Sequence, residues 1–169
     1  MDMTREIRIE EGKLKVVFEI QENGVVELKQ FDPAGRMDVK ERDRGEEDFY
    51  PITEVQITGR GTRGMHAYKH NVSGGATDFV YQSHEVLENE KGKELVIHTA
   101  TGYGVKAEYH MQFFNGVVAV QVWTVLKNEG TEAIGLEYVS SFIYQGLCQS
   151  GEKPYFEKTS VYTPHNSWD

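Results

Sequence analysis

His66 and His70, four residues apart with Lys69 beside them, are the residues in this chain whose types and spacing first suggest chemistry. On a helix, that spacing aims two imidazoles at one metal ion. Here the surroundings differ. Residues 55–77 hold five glycines (Gly59, Gly61, Gly64, Gly74 and Gly75), the cations Arg60, Arg63 and Lys69, and no acidic residue at all. In an acidic chain this is a cationic island. With no helix, no third ligand and no glutamate between them, the histidines read as hydrogen-bonded loop residues. No metal and no other cofactor is expected.

The island also contains Gly59-Arg60-Gly61-Thr62-Arg63-Gly64, which satisfies G-x-G-x-x-G. A dinucleotide site needs a helix opening at those glycines, so that its amides face a pyrophosphate. Met65-His66-Ala67-Tyr68 runs instead into Asn, Ser and Gly, and no βαβ pattern occurs anywhere, so an irregular loop is expected. His84, His98 and His110 fall in strand patterns as exposed or core-edge polar residues. Cys148 is the single cysteine and cannot form an internal disulfide. There is no G-x-S-x-G. Carboxylates are plentiful, but they lie on polar strand faces or in one charged loop, and no pair stands out for work on a glycoside.

The elements that position these residues are strands. Leu14, Val16, Phe18 and Ile20 alternate with Lys13, Lys15 and Glu19, the period of a half-buried strand. Glu6–Glu10 precedes it, and Asn23-Gly24, a hairpin dipeptide, leads into Val25–Phe31, giving an amino-terminal meander. Nine of the eleven residues from Asp38 to Asp48 are charged, which predicts a solvated loop. Strands follow at Pro51–Thr58, Asp78–Leu87 and Glu94–Ala100.

Tyr103–Tyr144 is expected to be a second meander and the core. Its first run puts Tyr103, Val105, Ala107, Tyr109, Met111 and Phe113 on one face, and Lys106, Glu108, His110 and Gln112 on the other. Asn115-Gly116 turns the chain into Val117–Leu126, which is apolar on both faces. That pattern predicts a central strand, with Trp123 buried between two layers. Asn128-Glu129-Gly130 turns it again into Ile134–Tyr144, and a last strand is expected at Tyr155–Thr163. About ten short strands with regularly spaced turns predict an all-β sandwich of two antiparallel sheets. The whole chain, 1–169, reads as one domain.

The formal net charge is −9, from 27 acidic and 18 basic residues. That excludes a basic footprint for nucleic acid and disfavours anionic membrane surfaces. No apolar run approaches a membrane span and no secretory leader is evident, so a cytoplasmic protein is expected.

Several segments resemble, in order and spacing, the amino-terminal domain of family 36 α-galactosidases. These are Glu54-Val55-Gln56-Ile57-Thr58-Gly59, His66-Ala67-Tyr68-Lys69-His70, Ser73-Gly74-Gly75 and Phe79-Val80-Tyr81-Gln82-Ser83-His84. Farther on come Gln121 to Gly130, Ser140-Ser141-Phe142 and Pro164-His165-Asn166-Ser167-Trp168. The resemblance covers most of the chain from about Tyr50 onward, while residues 32–49 have no counterpart in it.

It implies an antiparallel β-supersandwich of the galactose mutarotase type. In that family the catalytic aspartates of a retaining reaction lie in a (β/α)₈ barrel that follows this domain. A barrel needs roughly 250 residues of alternating βα pattern, so this chain is expected to be a fragment ending just before one, at Trp168-Asp169. The resemblance implies a non-catalytic domain that packs on the barrel of its parent chain and supports oligomerisation or the active-site rim. Galactoside would be handled by the parent enzyme, and His66, Lys69 and His70 would lie at the substrate rim or an interface. Two rival expectations remain. One is a free-standing carbohydrate-binding module using Tyr68, Tyr81 and Tyr103; the other is a mutarotase-like epimerase working through His and Glu.

Overall fold

A computed structural model describes residues 5–33, 50–61, 74–144 and 157. The expected all-β, antiparallel architecture is what it contains. Strands β1 (Arg5–Glu11), β2 (Leu14–Ile20) and β3 (Val26–Pro33) form one antiparallel sheet in that order. Strands β5 (Val80–Asn89), β6 (Gly92–Ala100), β7 (Val105–Phe114) and β8 (Val117–Asn128) form a second. Strand β4 (Val55–Ile57), between these sheets in sequence, pairs with β9 (Leu136–Val139), which follows β8, as a two-stranded sheet. A single turn of 3₁₀ helix, Ala76–Asp78, leads into β5. Among the described residues no helix is long and apolar enough to cross a membrane.

The period-two strands bury the faces their sequences mark. Leu14, Val16, Phe18 and Ile20 of β2 meet Leu95 and Ile97 of β6 and Tyr109, Met111 and Phe113 of β7 in one core. Phe18 stands edge-on to Tyr109, ring centroids 5.9 Å apart and planes 74° apart, a geometry worth about 0.5–1.5 kcal/mol beyond area burial. A second cluster joins Val55 and Ile57 of β4 to Phe79, Val105 and Ala107. The β4–β9 pair therefore continues the layer that covers the inner face of the four-stranded sheet. The Ile52 N–H donates to the Val26 carbonyl and the Ser140 N–H to the Glu54 carbonyl, each at 2.9 Å, tying the segments of this layer together.

Three expectations about the second meander are corrected. First, among the described residues β8 is an edge strand, because the order is β5-β6-β7-β8. The strand buried on both faces is β6, whose consecutive Leu95, Val96 and Ile97 are all buried. Val117 and Val118 are exposed at the tip of the hairpin, so the apolar residues of β8 do not mean a cover on each side. Second, Trp123 is only half-buried and lies on the outer face of the sheet. Third, the run from Ile134 leaves β8 and supplies β9 to β4. The charged loop Asp38–Asp48 lies outside the described residues, and of the last expected strand only Glu157 is described.

Candidate functional site

His66, Lys69 and His70 lie outside the described residues, as do Arg63 and Tyr68; the two ends of their loop are described. The Gly74 N–H donates to the Gly61 carbonyl at 2.9 Å, so residues 61 and 74 form a neck. Gly74 is required there, since a Cβ would come within 2.4 Å of the Arg60 carbonyl oxygen. Arg60 is held against the surface of the domain. Its guanidinium pairs with Asp78 at 3.5 Å and lies over the Tyr103 ring, 4.1 Å from the centroid. Burial pushes the Tyr103 phenol up and the Asp78 charge adds to this, while Arg60 offsets part of it. One cation of the island thus finds its acid partner on the domain's own surface.

Among the described residues the strongest cluster of chemistry-bearing side chains lies on the outer face of the four-stranded sheet. Period two puts Glu94 and His98 of β6, Glu108, His110 and Gln112 of β7, and Gln121 and Trp123 of β8 on that face. Glu94 Oε1 is 2.8 Å from His110 Nδ1, and Glu108 Oε2 is 3.8 Å from His110 Nε2. The Nε2 atom is buried and has no hydrogen-bond partner. Lys127 donates to Glu108 at 2.6 Å, and this bond holds the Glu108 carboxyl below the usual carboxylate range. His98 Nε2 lies 3.3 Å from Glu85 Oε1. The indole of Trp123 stacks on His110, with centroids 4.8 Å apart and planes within 8°.

Beside the stack runs an open groove of about 560 Å³. Trp123 and Gln121 form one wall, Gln112 the floor, and the β5–β6 turn, Asn89 to Lys91, the other wall. The floor is fixed by its own hydrogen bonds. Gln112 Nε2 donates to the carbonyls of Lys93 and Phe113, and its Oε1 accepts from Asn89 Nδ2 at 2.7 Å. Asn89 Oδ1 in turn accepts the N–H groups of Lys91 and Gly92, which pins the turn.

Comparison of the chain with protein-family models, with curated proteins and with solved structures finds no match. The outer-face cluster offers an aromatic wall, two carboxylates around one imidazole, and several amides. Among the described residues no three His, Cys, Asp or Glu side chains converge as metal ligands.

Of the tyrosines expected to form a sugar platform, Tyr68 lies outside the described residues and the other two are engaged within the domain. Tyr81 packs against the core and its hydroxyl meets His84 Nδ1 at 2.8 Å, while Tyr103 lies beneath Arg60. Trp123 is the aromatic that sequence reasoning misplaced. An ideal two-residue hairpin at Asn115-Gly116 would set Gln121 opposite His110. The register shifts between Phe113 and Phe114, leaving Val118 and Ala119 as extra residues on β8, and Trp123 moves into that place.

Proposed function

We propose that this domain is the non-catalytic amino-terminal β-sandwich of an α-galactosidase-like glycoside hydrolase, and that it packs on the catalytic barrel of its parent chain. The segments of the resemblance fall on defined elements in keeping with this reading. Val55–Ile57 is β4, Phe79–His84 opens β5, Gln121–Asn128 lies within β8, and Ser140–Phe142 follows β9. The galactose mutarotase type of supersandwich belongs to the same proposal.

One observation carries the docking role. The β4–β9 layer exposes three large apolar side chains, Leu136 at 51%, Tyr138 at 50% and Phe142 at 42%. Tyr138 and Phe142 border a groove of about 530 Å³ with Glu54, Gln56, Ser140, Ile143 and Tyr144. Neighbouring exposed apolar groups rimmed by polar ones mark interaction surfaces. In this reading the barrel covers them, and His66, Lys69 and His70 serve the substrate rim or an interface with a neighbouring subunit. The parent enzyme, a retaining α-galactosidase, acts on galactoside with its own barrel carboxylates.

Expressing residues 1–169 and the polypeptide encoded downstream of Asp169 as two separate chains tests the docking. The two are expected to co-purify, and Leu136→Glu with Tyr138→Glu to separate them while residues 1–169 still melt cooperatively. Absence of a downstream polypeptide, or failure of the two chains to associate, would overturn the reading.

A further inference from the structure

We propose that the groove beside Trp123 is a binding subsite for a neutral pyranoside. Three features of the groove point to this ligand class. First, its apolar wall is the single indole of Trp123, stacked on His110, and among the described residues no further strand stands beyond β8. A pyranose presents a flat face of C–H groups suited to such a ring. Second, the remaining lining is rich in hydrogen-bonding groups: the Glu94 carboxylate, the exposed Gln121 amide, and the exposed Glu90 and Lys91 on the facing turn. Hydroxyls both donate and accept, so they match carboxylate, amide and ammonium alike. Third, the floor and the turn are already fixed by the Gln112 and Asn89 hydrogen bonds, so a ligand orders little on arrival.

Other ligand classes fit less well. A nucleotide would stack on the indole, but its phosphates would meet Glu90 and Glu94 on a chain of net charge −9. A quaternary ammonium is held by a cage of several aromatics, and this lining has one. The groove's volume lies within the roughly 300–1,000 Å³ of small-molecule sites. The subsite stands on these residues alone. Only the choice of an α-galactosyl chain as the first probe rests on the function proposed above.

The test is a heteronuclear NMR titration of residues 1–169 with an α-galactosyl trisaccharide, α- and β-linked glucosyl trisaccharides, choline and adenosine monophosphate. Saturable shifts at the Trp123 indole N–H, Gln121 and Lys91, with a dissociation constant in the millimolar range or tighter, are expected for the galactosyl probe. Trp123→Ala should weaken binding about tenfold or more. Gln121→Ala, a change at an exposed position that leaves the fold intact, should weaken it severalfold. Binding of a glucosyl probe alone would support the subsite and count against a galactoside-directed parent. No binding by any sugar, or shifts with choline or the nucleotide in place of the sugars, would overturn the subsite and leave the docking reading to its own experiment.

Discussion

Trp123 and His110 face each other across the β7–β8 ladder with their rings parallel, centroids 4.8 Å apart. The pair makes an outer sheet face into a defined surface. It also sets a scale for the indole's contribution. A fully buried aromatic loses about 3–5 kcal/mol on truncation to alanine. Trp123 is half-buried at an edge, so Trp123→Ala is expected to cost roughly half of that, about 2 kcal/mol, from lost area and the lost stack. Urea melts of the two proteins measure it, and a loss of 4 kcal/mol or more, roughly a core value, would mean the indole is a core residue after all.

Tyr109 gives a prediction of the opposite sign. Its hydroxyl is buried without a hydrogen-bond partner, and burial pushes the phenol far above its usual range. Removing an unsatisfied polar group relieves its desolvation. Tyr109→Phe should therefore leave stability unchanged or raise it by up to about 1 kcal/mol. Phe18→Ala, which empties the other half of the same edge-on pair, should cost about 3–5 kcal/mol. Denaturant melts run side by side check both signs.

Much of this core was legible in the sequence because it rests on local periodicity. The alternation in β2 and in β7 marks faces that are indeed buried, and Asn115-Gly116 joins β7 to β8 with Gly116 at φ +74°. What was not legible depends on neighbours distant in sequence. Apolar residues on both faces of β8 resemble the signature of a central strand, yet they arise from core contacts inside, the ring stack outside and exposed valines at the tip. The turn at Asn128–Gly130 announces a reversal but not which sheet receives the next strand. The Glu129 N–H bonds to the Gly104 carbonyl, and β9 continues to β4. Of the candidate site, the cationic island was visible as composition, whereas the Trp123 groove required a register shift that no dipeptide encodes.

The Glu108–Lys127 bond makes acid stability testable. Hydrogen bonding to Lys127 depresses the Glu108 carboxyl in the folded state. A depressed carboxyl contributes stability that is present above its unfolded value, about 4.3, and lost as pH falls through the folded value. Lys127→Met should therefore lose less stability than the parent as the pH is lowered from neutral to below about 4. Its Glu108 side-chain carboxyl, followed by carbon-detected NMR, should titrate at higher pH. An unchanged Glu108 titration would show that Lys127 does not hold it.

Gly74 closes the neck of the island. Gly74→Ala places a methyl against the Arg60 carbonyl oxygen, at a distance of 2.4 Å without relaxation. The backbone must move, at an expected cost of about 1–3 kcal/mol. A melting temperature equal to the parent's would show that the neck is not fixed in the folded protein.

The galactoside-directed role proposed for this domain is exercised through a parent enzyme, so activity is its sharpest test. Residues 1–169 and the complete product of the reading frame that carries them should be purified and assayed against a chromogenic α-galactoside. The expected result is no turnover by residues 1–169 and clear, protein-dependent turnover by the complete product. Turnover by residues 1–169 alone, or none by the complete product, would contradict the account.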